Sequence, residues 1–128
     1  MITSLYASLL TFWLVLLSFR VIALRGSPVF RFLNIDTSDD DMLQRAIRAQ
    51  GNLTEYAPMM LILLYLLEVN GAGTATLHSL GLSFLIGRLM HGICFGFMKS
   101  SMPLRIGGTV LTLTPLLAAA VMLGVVAI

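Results

Sequence analysis

Four apolar stretches, each long enough to cross a lipid bilayer, limit the fold of this chain more than any other feature. They cover about residues 1–24, 46–69, 74–97 and 106–128, and a helix needs roughly 20 apolar residues to span the hydrocarbon core. The stretches are continuously apolar and lack the alternation of a β-barrel strand. We therefore predict an all-α integral membrane protein: one domain over residues 1–128, built as a four-transmembrane-helix bundle.

The composition supports this class and excludes others. The chain is 58% hydrophobic and 11% charged, whereas soluble domains carry roughly 25% charged residues. The first stretch has no basic start, so we expect a retained span and not a cleaved signal peptide. The basic residues form no block with interleaved aromatics, which argues against a nucleic-acid partner. The one cysteine, Cys94, is expected to pack within a span.

The Lys and Arg residues also predict an orientation in the membrane. The first connection, Arg25 to Arg48, holds four arginines, and the third holds Lys99 and Arg105. The second connection, near residues 70–74, holds no basic residue. By the positive-inside rule, the first and third connections face the cytoplasm and both termini lie outside it.

The segment "TSDDD" predicts the start of the second helix. Ser38 or Asp39 can cap free backbone N–H groups, and acids in a first turn suit the helix dipole. This helix therefore starts in water and enters the membrane partway along, with a kink expected at Pro58.

The second helix carries a polar stripe into its apolar part. Arg45, Arg48, Asn52 and Glu55 are spaced 3, 4 and 3 apart, which places them on one helix face. A charge at membrane depth costs about 2.5–3.5 kcal/mol and normally faces a protein interior or a water-filled cavity. We expect this stripe to point inward.

Further cations are expected near the same depth or the same end. Arg88 and His91 lie three apart on the third helix, and Arg25 and Arg105 stand at the ends of the first and fourth. Only Glu55 is an acid within these polar stretches, so positive charge is in excess. An anion with several carboxylates fits, because guanidinium groups clamp carboxylates in a bidentate way.

Two interpretations of this polar group stay open at this point. Glu55 could pair with Arg48 or Arg88 in an internal network that only holds the bundle together, although several arginines would then stay unmatched. In the alternative, Asn52 and Gln50 bind amide or amine groups of a ligand and Glu55 binds its ammonium. A small anionic peptide has all of these groups.

Three segments resemble one known family. The stretch "RAQGNLTEYAP" resembles the helix 2 signature of the MAPEG family, the membrane-associated proteins in eicosanoid and glutathione metabolism. "GRLMHGICF" is similar to the family's helix 3 segment, and "PLR" to its turn into helix 4. The resemblance covers nearly the whole chain, and its short length looks most like the small bacterial inner-membrane members.

This resemblance implies a homotrimer that binds glutathione between subunits near the cytoplasmic side, as a cosubstrate and without a metal. Arg105 matches the catalytic arginine that stabilises the glutathione thiolate. Family positions that hold glutathione match a further set of residues: Arg25, Arg48, Gln50, Asn52, Glu55, Tyr56, Arg88 and His91.

The function implied is that of a glutathione transferase or peroxidase. A thiol with a pKa of roughly 8.5 is only a few per cent ionised at neutral pH, and a nearby guanidinium favours the thiolate. The thiolate would attack a lipophilic electrophile or lipid that enters from the membrane lipids. Phe95 stands where several family members have a tyrosine, and Ile106 stands where the prostaglandin-synthesising branch has a serine, so prostaglandin isomerase chemistry is not expected.

Two other functions are compatible with the sequence. The protein could be a non-catalytic scaffold that binds lipid or glutathione, since the family includes a member that presents lipid. It could also be a small multidrug transporter with four spans. Such transporters couple to an acid in the first helix, and the first helix here has none. His78, near the outer end of the third helix, is expected to have no chemical role.

Overall fold

A computed structural model describes all residues from 1 to 128. Four long helices, each long and apolar enough to cross a membrane, account for most of the chain, which confirms the all-helical prediction and its four spans. The helices are α1 (Ile2–Leu24), α2 (Asp40–Val69), α3 (Thr74–Phe97) and α4 (Met102–Ala127), and a short 3-10 helix (Pro28–Leu33) connects α1 to α2.

Helix α3 is the centre of the bundle. It is the most buried of the four spans and packs against each of the others, whereas α4 is the least buried. Phe84 of α3 is fully buried together with Leu17 of α1 and Met60 and Leu64 of α2. Cys94 is also buried in this core, as predicted. Two polar side chains of α3, Arg88 and His91, are therefore held between the other helices, away from lipid.

Small residues let α4 approach α3 closely. A Cβ added at Gly87 would lie 2.7 Å from the backbone carbonyl carbon of Leu111, and one added at Gly108 would lie 2.9 Å from the backbone nitrogen of His91. Real Cβ atoms do not come so near to backbone, so only glycine fits at either position. This contact fixes α4 beside Arg88 and His91.

Two polar contacts tie the helices at the opposite end of the bundle. The Glu68 carboxylate of α2 accepts hydrogen bonds from the backbone N–H groups of Ile2 (2.5 Å) and Thr3 (2.9 Å), at the start of α1. The Tyr6 hydroxyl oxygen lies 3.0 Å from Nδ1 of His78. His78 therefore links α3 to α1, a structural contact that the sequence did not predict.

Asp39 is the N-cap of α2, and it is one of the two predicted caps. Its Oδ1 accepts a hydrogen bond from the backbone N–H of Met42 at 3.0 Å. Just before it, the exposed Asp36 carboxylate accepts bonds from the Ser38 hydroxyl (2.6 Å) and backbone N–H (2.9 Å). These bonds stabilise the charged form and hold the pKa of Asp36 below its usual range. The 3-10 helix ahead of this turn was not predicted.

Candidate functional site

A small polar cavity opens between α2, α3 and α4. Its volume is about 70 Å³. Asn52 and Tyr56 reach it from α2, Arg88 and His91 from α3, and three residues from α4. The lining set is Asn52, Tyr56, Arg88, His91, Thr109, Thr112 and Leu113. Four of the predicted glutathione-binding residues therefore meet in one place.

Arg88 is the most buried charged side chain of the cavity. It is 2% exposed, and its Nη1 donates to Oδ1 of Asn52 at 2.6 Å and to the Asn52 carbonyl at 3.5 Å. Its Nε is buried with no hydrogen-bond partner, and its guanidinium lies 5.7 Å from the centre of the Tyr56 ring. The cation is thus partnered by a neutral amide and an aromatic ring and not by a carboxylate.

The backbone around Arg88 is held by α1. The indole Nε1 of Trp13 donates to the Arg88 carbonyl at 3.1 Å, and Gly92, one turn further on, leaves room for the Trp13 ring. Sequence reasoning did not single out Trp13. This contact fixes the position of α1 along the axis of α3 at the level of Arg88.

An aromatic cluster extends the site toward the ends of α3 and α4. The rings of His91 and Phe95 are stacked, with centroids 4.5 Å apart. Two guanidinium groups lie near the Phe95 ring centre: that of Arg45 at 4.9 Å and that of Arg105 at 5.9 Å. Arg105 is exposed, so the predicted catalytic residue lies beside the cavity and outside its lining.

Arg45 has a different role from Arg88. Its Nη2 donates to the Cys94 carbonyl at 2.9 Å and its Nε to the Met98 carbonyl at 3.2 Å. These carbonyls belong to the last turn of α3, where a helix leaves its acceptors unpaired. Arg45 therefore acts as a cap of α3, and its charge is used within the chain.

The residues of the polar stripe of α2 alternate between partly buried and exposed positions. Asn52 and Tyr56 are partly buried, whereas Arg48 and Glu55 are exposed. Within one chain, the expectation that the whole stripe points inward is thus wrong for Arg48 and Glu55. Both lie on the flank of α2 that the single bundle leaves uncovered.

Two further predicted residues lie away from the cavity. Gln50 sits about 200° around the helix from Asn52, and its Nε2 lies 3.4 Å from the Ser18 hydroxyl of α1. Arg25 ends α1 and is exposed. The single chain therefore does not bring Gln50 or Arg25 to the other site residues.

Helix α4 supplies hydroxyl groups that sequence reasoning missed. Thr109 and Thr112 follow Arg105 at spacings of four and seven residues, which puts all three on one helix face. Their hydroxyls donate back to the carbonyls of Arg105 (2.9 Å) and Gly108 (2.6 Å). That spacing was the signal available in the sequence.

The four spans and the buried cationic cavity define this chain as an integral membrane protein with an internal polar site. The family model described as "MAPEG family" matches residues 3–125, and the chain therefore belongs to the MAPEG family. It is 41% identical over 91 residues to the inner membrane protein YecN of Escherichia coli strain K12, over 71% of this chain and 67% of the relative. YecN of E. coli O6:H1 strain CFT073 gives the same values. No solved structure matches this chain.

Proposed function

We propose that this protein binds glutathione at the Arg88 cavity and activates its thiolate for attack on a lipophilic electrophile. The observation that carries the proposal is the buried Arg88 guanidinium, which has one unpaired N–H and no carboxylate partner. An uncompensated cation inside a membrane protein is costly and marks a binding or transport site. A peptide carboxylate or a thiolate would supply the missing negative charge.

The cavity of one chain is too small for the whole ligand. Its volume of about 70 Å³ is below the roughly 300–1,000 Å³ of typical small-molecule pockets. It has room for one charged group of the ligand. The rest of glutathione would lie over the exposed Arg48 and Glu55, and the proposal places a second copy of the chain against that flank, as in the homotrimer that the family resemblance implies.

Crosslinking and native mass spectrometry in a bilayer mimetic test this arrangement. The unaltered protein, treated with a bifunctional crosslinker, is expected to form a trimer. Only monomers or dimers under conditions that retain bound glutathione would contradict it.

The chemistry proposed for Arg105 is electrostatic. A guanidinium close to a thiol favours the thiolate, because the positive charge stabilises the ionised form and the surrounding apolar medium screens it little. Arg105 is held only by its contact with Phe95, so its side chain is free to turn toward a bound thiol. The electrophile would come from the lipid-facing surface of α1 and α4.

Steady-state conjugation kinetics test this role. Arg105→Ala should abolish conjugation to a lipophilic electrophile while calorimetry shows glutathione binding within about threefold of the unaltered protein, since loss of one transition-state contact changes turnover more than ground-state binding. Arg31→Ala, on the connection between α1 and α2, is the matched control and should leave both unchanged. Undiminished turnover in Arg105→Ala would exclude the role.

A non-catalytic binding protein is the second candidate, because Arg105 lies outside the cavity lining. It predicts glutathione or lipid binding with no turnover across a broad set of electrophiles.

For the membrane itself, we propose the bacterial inner membrane, as for the E. coli relative, with the connections α1–α2 and α3–α4 in the cytoplasm. Accessibility of cysteines introduced at residues 27 and 71 to an impermeant reagent tests the orientation.

A further inference from the structure

Two adjoining cavities lie at the end of α1, away from the Arg88 cavity. The first, here the headgroup pocket, has a volume of about 360 Å³ and is lined by the connection after α1, including Ser27, Arg31, Asn34 and Thr37. The second, here the acyl groove, has about 220 Å³ and an apolar lining. Three residues, Ala23, Phe30 and Ile35, line both cavities. A polar pocket thus continues into an apolar groove.

The acyl groove holds an incompletely paired cation. Arg20 lines it, is partly buried, and is held in place by a bond from its Nε to the Gly96 carbonyl at 2.9 Å. Its guanidinium packs 5.0 Å from the centre of the Phe97 ring. The hydrogen bonds of the chain use only Nε, so both terminal nitrogens keep free N–H donors beside an apolar surface.

The 3-10 helix over the headgroup pocket has the character of a membrane-interface segment. Val29 and Phe32 are 72% and 76% exposed, and between them Arg31 is exposed as well. Such apolar exposure beside the end of a span is stable when the side chains enter the lipid and the basic group reaches the headgroup level. The phosphates of lipids lie at that level.

The local charge selects among lipids. The linings of the two cavities include two arginines, Arg20 and Arg31, and no acid. The acids of this connection, Asp36, Asp39, Asp40 and Asp41, lie outside both linings. The Asp36 carboxylate is already paired with Ser38. We propose that this end of α1 is a binding site for one anionic phospholipid, whose phosphate lies between Arg31 and Arg20 and whose acyl chain fills the groove. The proposal is independent of glutathione binding.

Titration with phosphatidylglycerol, followed by native mass spectrometry of the full chain in mild detergent, tests this site. Each cation near an anionic lipid contributes roughly fivefold in affinity, so Arg20→Gln/Arg31→Gln should weaken binding about 30-fold. Arg48→Gln removes one charge elsewhere and should leave binding unchanged. The double lysine variant, Arg20→Lys/Arg31→Lys, keeps both charges, so its retained binding would separate the charge effect from a folding defect.

Three outcomes of this titration would overturn the proposal. One is an affinity that does not follow the charge of the variants, whether as undiminished binding by the double glutamine variant or as equal loss in the double lysine variant. Another is equal affinity for phosphatidylcholine, which lacks the net charge and should bind at least about tenfold more weakly. The third is saturation of the site by inorganic phosphate at the same concentration, which would assign the pocket to the free anion.

A photoreactive lipid gives a test without any substitution. Phosphatidylglycerol with a photoreactive group on one acyl chain, placed in nanodiscs with the unaltered protein, should label residues 16–35 above all other segments. Labelling confined to α4, or crosslinks from the acyl groove to a second chain, would contradict the lipid as occupant.

Discussion

Replacing Arg88 and Asn52 together by apolar residues should make the protein more stable and weaken the binding of its anionic ligand. The double variant Arg88→Met/Asn52→Leu keeps the side-chain volumes roughly the same. Both residues are changed because Arg88→Met alone would leave Oδ1 of Asn52 without its donor, at a cost of about 1–3 kcal/mol. Buried charged groups are often replaced by apolar residues without loss of stability.

The magnitude follows from the contacts of Arg88. A deeply placed arginine costs about 2.5–3.5 kcal/mol, and the unpaired Nε adds about 1–3 kcal/mol. Against this, the 2.6 Å bond to Asn52 contributes about 1.5–3 kcal/mol, and the Tyr56 contact about 0.5–2 kcal/mol. At the midpoints the costs exceed the gains, so the double variant should gain about 1–2 kcal/mol in free energy of unfolding.

Unfolding in mixed micelles, followed by circular dichroism, measures this change. Arg45→Met is the matched control, because Arg45 donates to two backbone carbonyls and its loss should lower the free energy of unfolding by at least about 1 kcal/mol. The expected order of stability is the double variant, the unaltered protein, then Arg45→Met. A double variant less stable than the unaltered protein by more than about 1 kcal/mol would identify Arg88 as structural and refute the reasoning.

Three further predictions concern the fold. Gly87→Val should lower the free energy of unfolding by about 1–3 kcal/mol, because its Cβ would meet the Leu111 backbone. Gly124→Val is the control, since Gly124 has open space around it. Equal losses of stability in the two variants would be inconsistent with close α3–α4 packing. Asp39→Ala should lower the free energy of unfolding by about 1 kcal/mol and speed hydrogen exchange of the Met42 amide, which loses its acceptor. Unchanged protection of that amide would contradict the role of Asp39 as the cap. The folded-state pKa of Asp36 is lowered, so the stability that its carboxylate gives the fold is present above the unfolded pKa and is lost as pH falls through the folded pKa. In an NMR titration, Ser38→Ala should move the pKa of Asp36 back toward its usual range. An unmoved midpoint would contradict the role of Ser38.

The helices could be predicted because each rests on a local pattern. Continuous apolar length defines the spans, and "TSDDD" predicts the start of α2 with Ser38 or Asp39 as its cap, of which the structure shows Asp39. The 3-10 helix was missed, since it depends on Pro28 at its start and on Asn34 in the left-handed conformation (φ 47°) at its end. Neither residue carries a periodic signal.

The site could be predicted only in part, because helical spacing gives a face but not what covers it. The sequence predicted polar positions at similar depth on adjacent helices, but it offered Glu55 as a partner of Arg88, whereas the observed partner is Asn52. Arg48 and Glu55 are exposed because α3 and α4 do not pack over the part of the α2 surface on which they lie. Which part of α2 is covered is a property of the tertiary structure. The contacts of Trp13 and His78 likewise join residues far apart in the sequence, at separations of 75 and 72 positions.

The most direct test of the central claim is calorimetric titration of glutathione into the unaltered protein and into Arg88→Met/Asn52→Leu. If the buried guanidinium awaits an anionic ligand, the unaltered protein binds glutathione and the double variant, though at least as stable, binds it at least about tenfold more weakly, the loss expected for one charge-assisted bond. Glutathione binding of equal affinity in both proteins would contradict the claim.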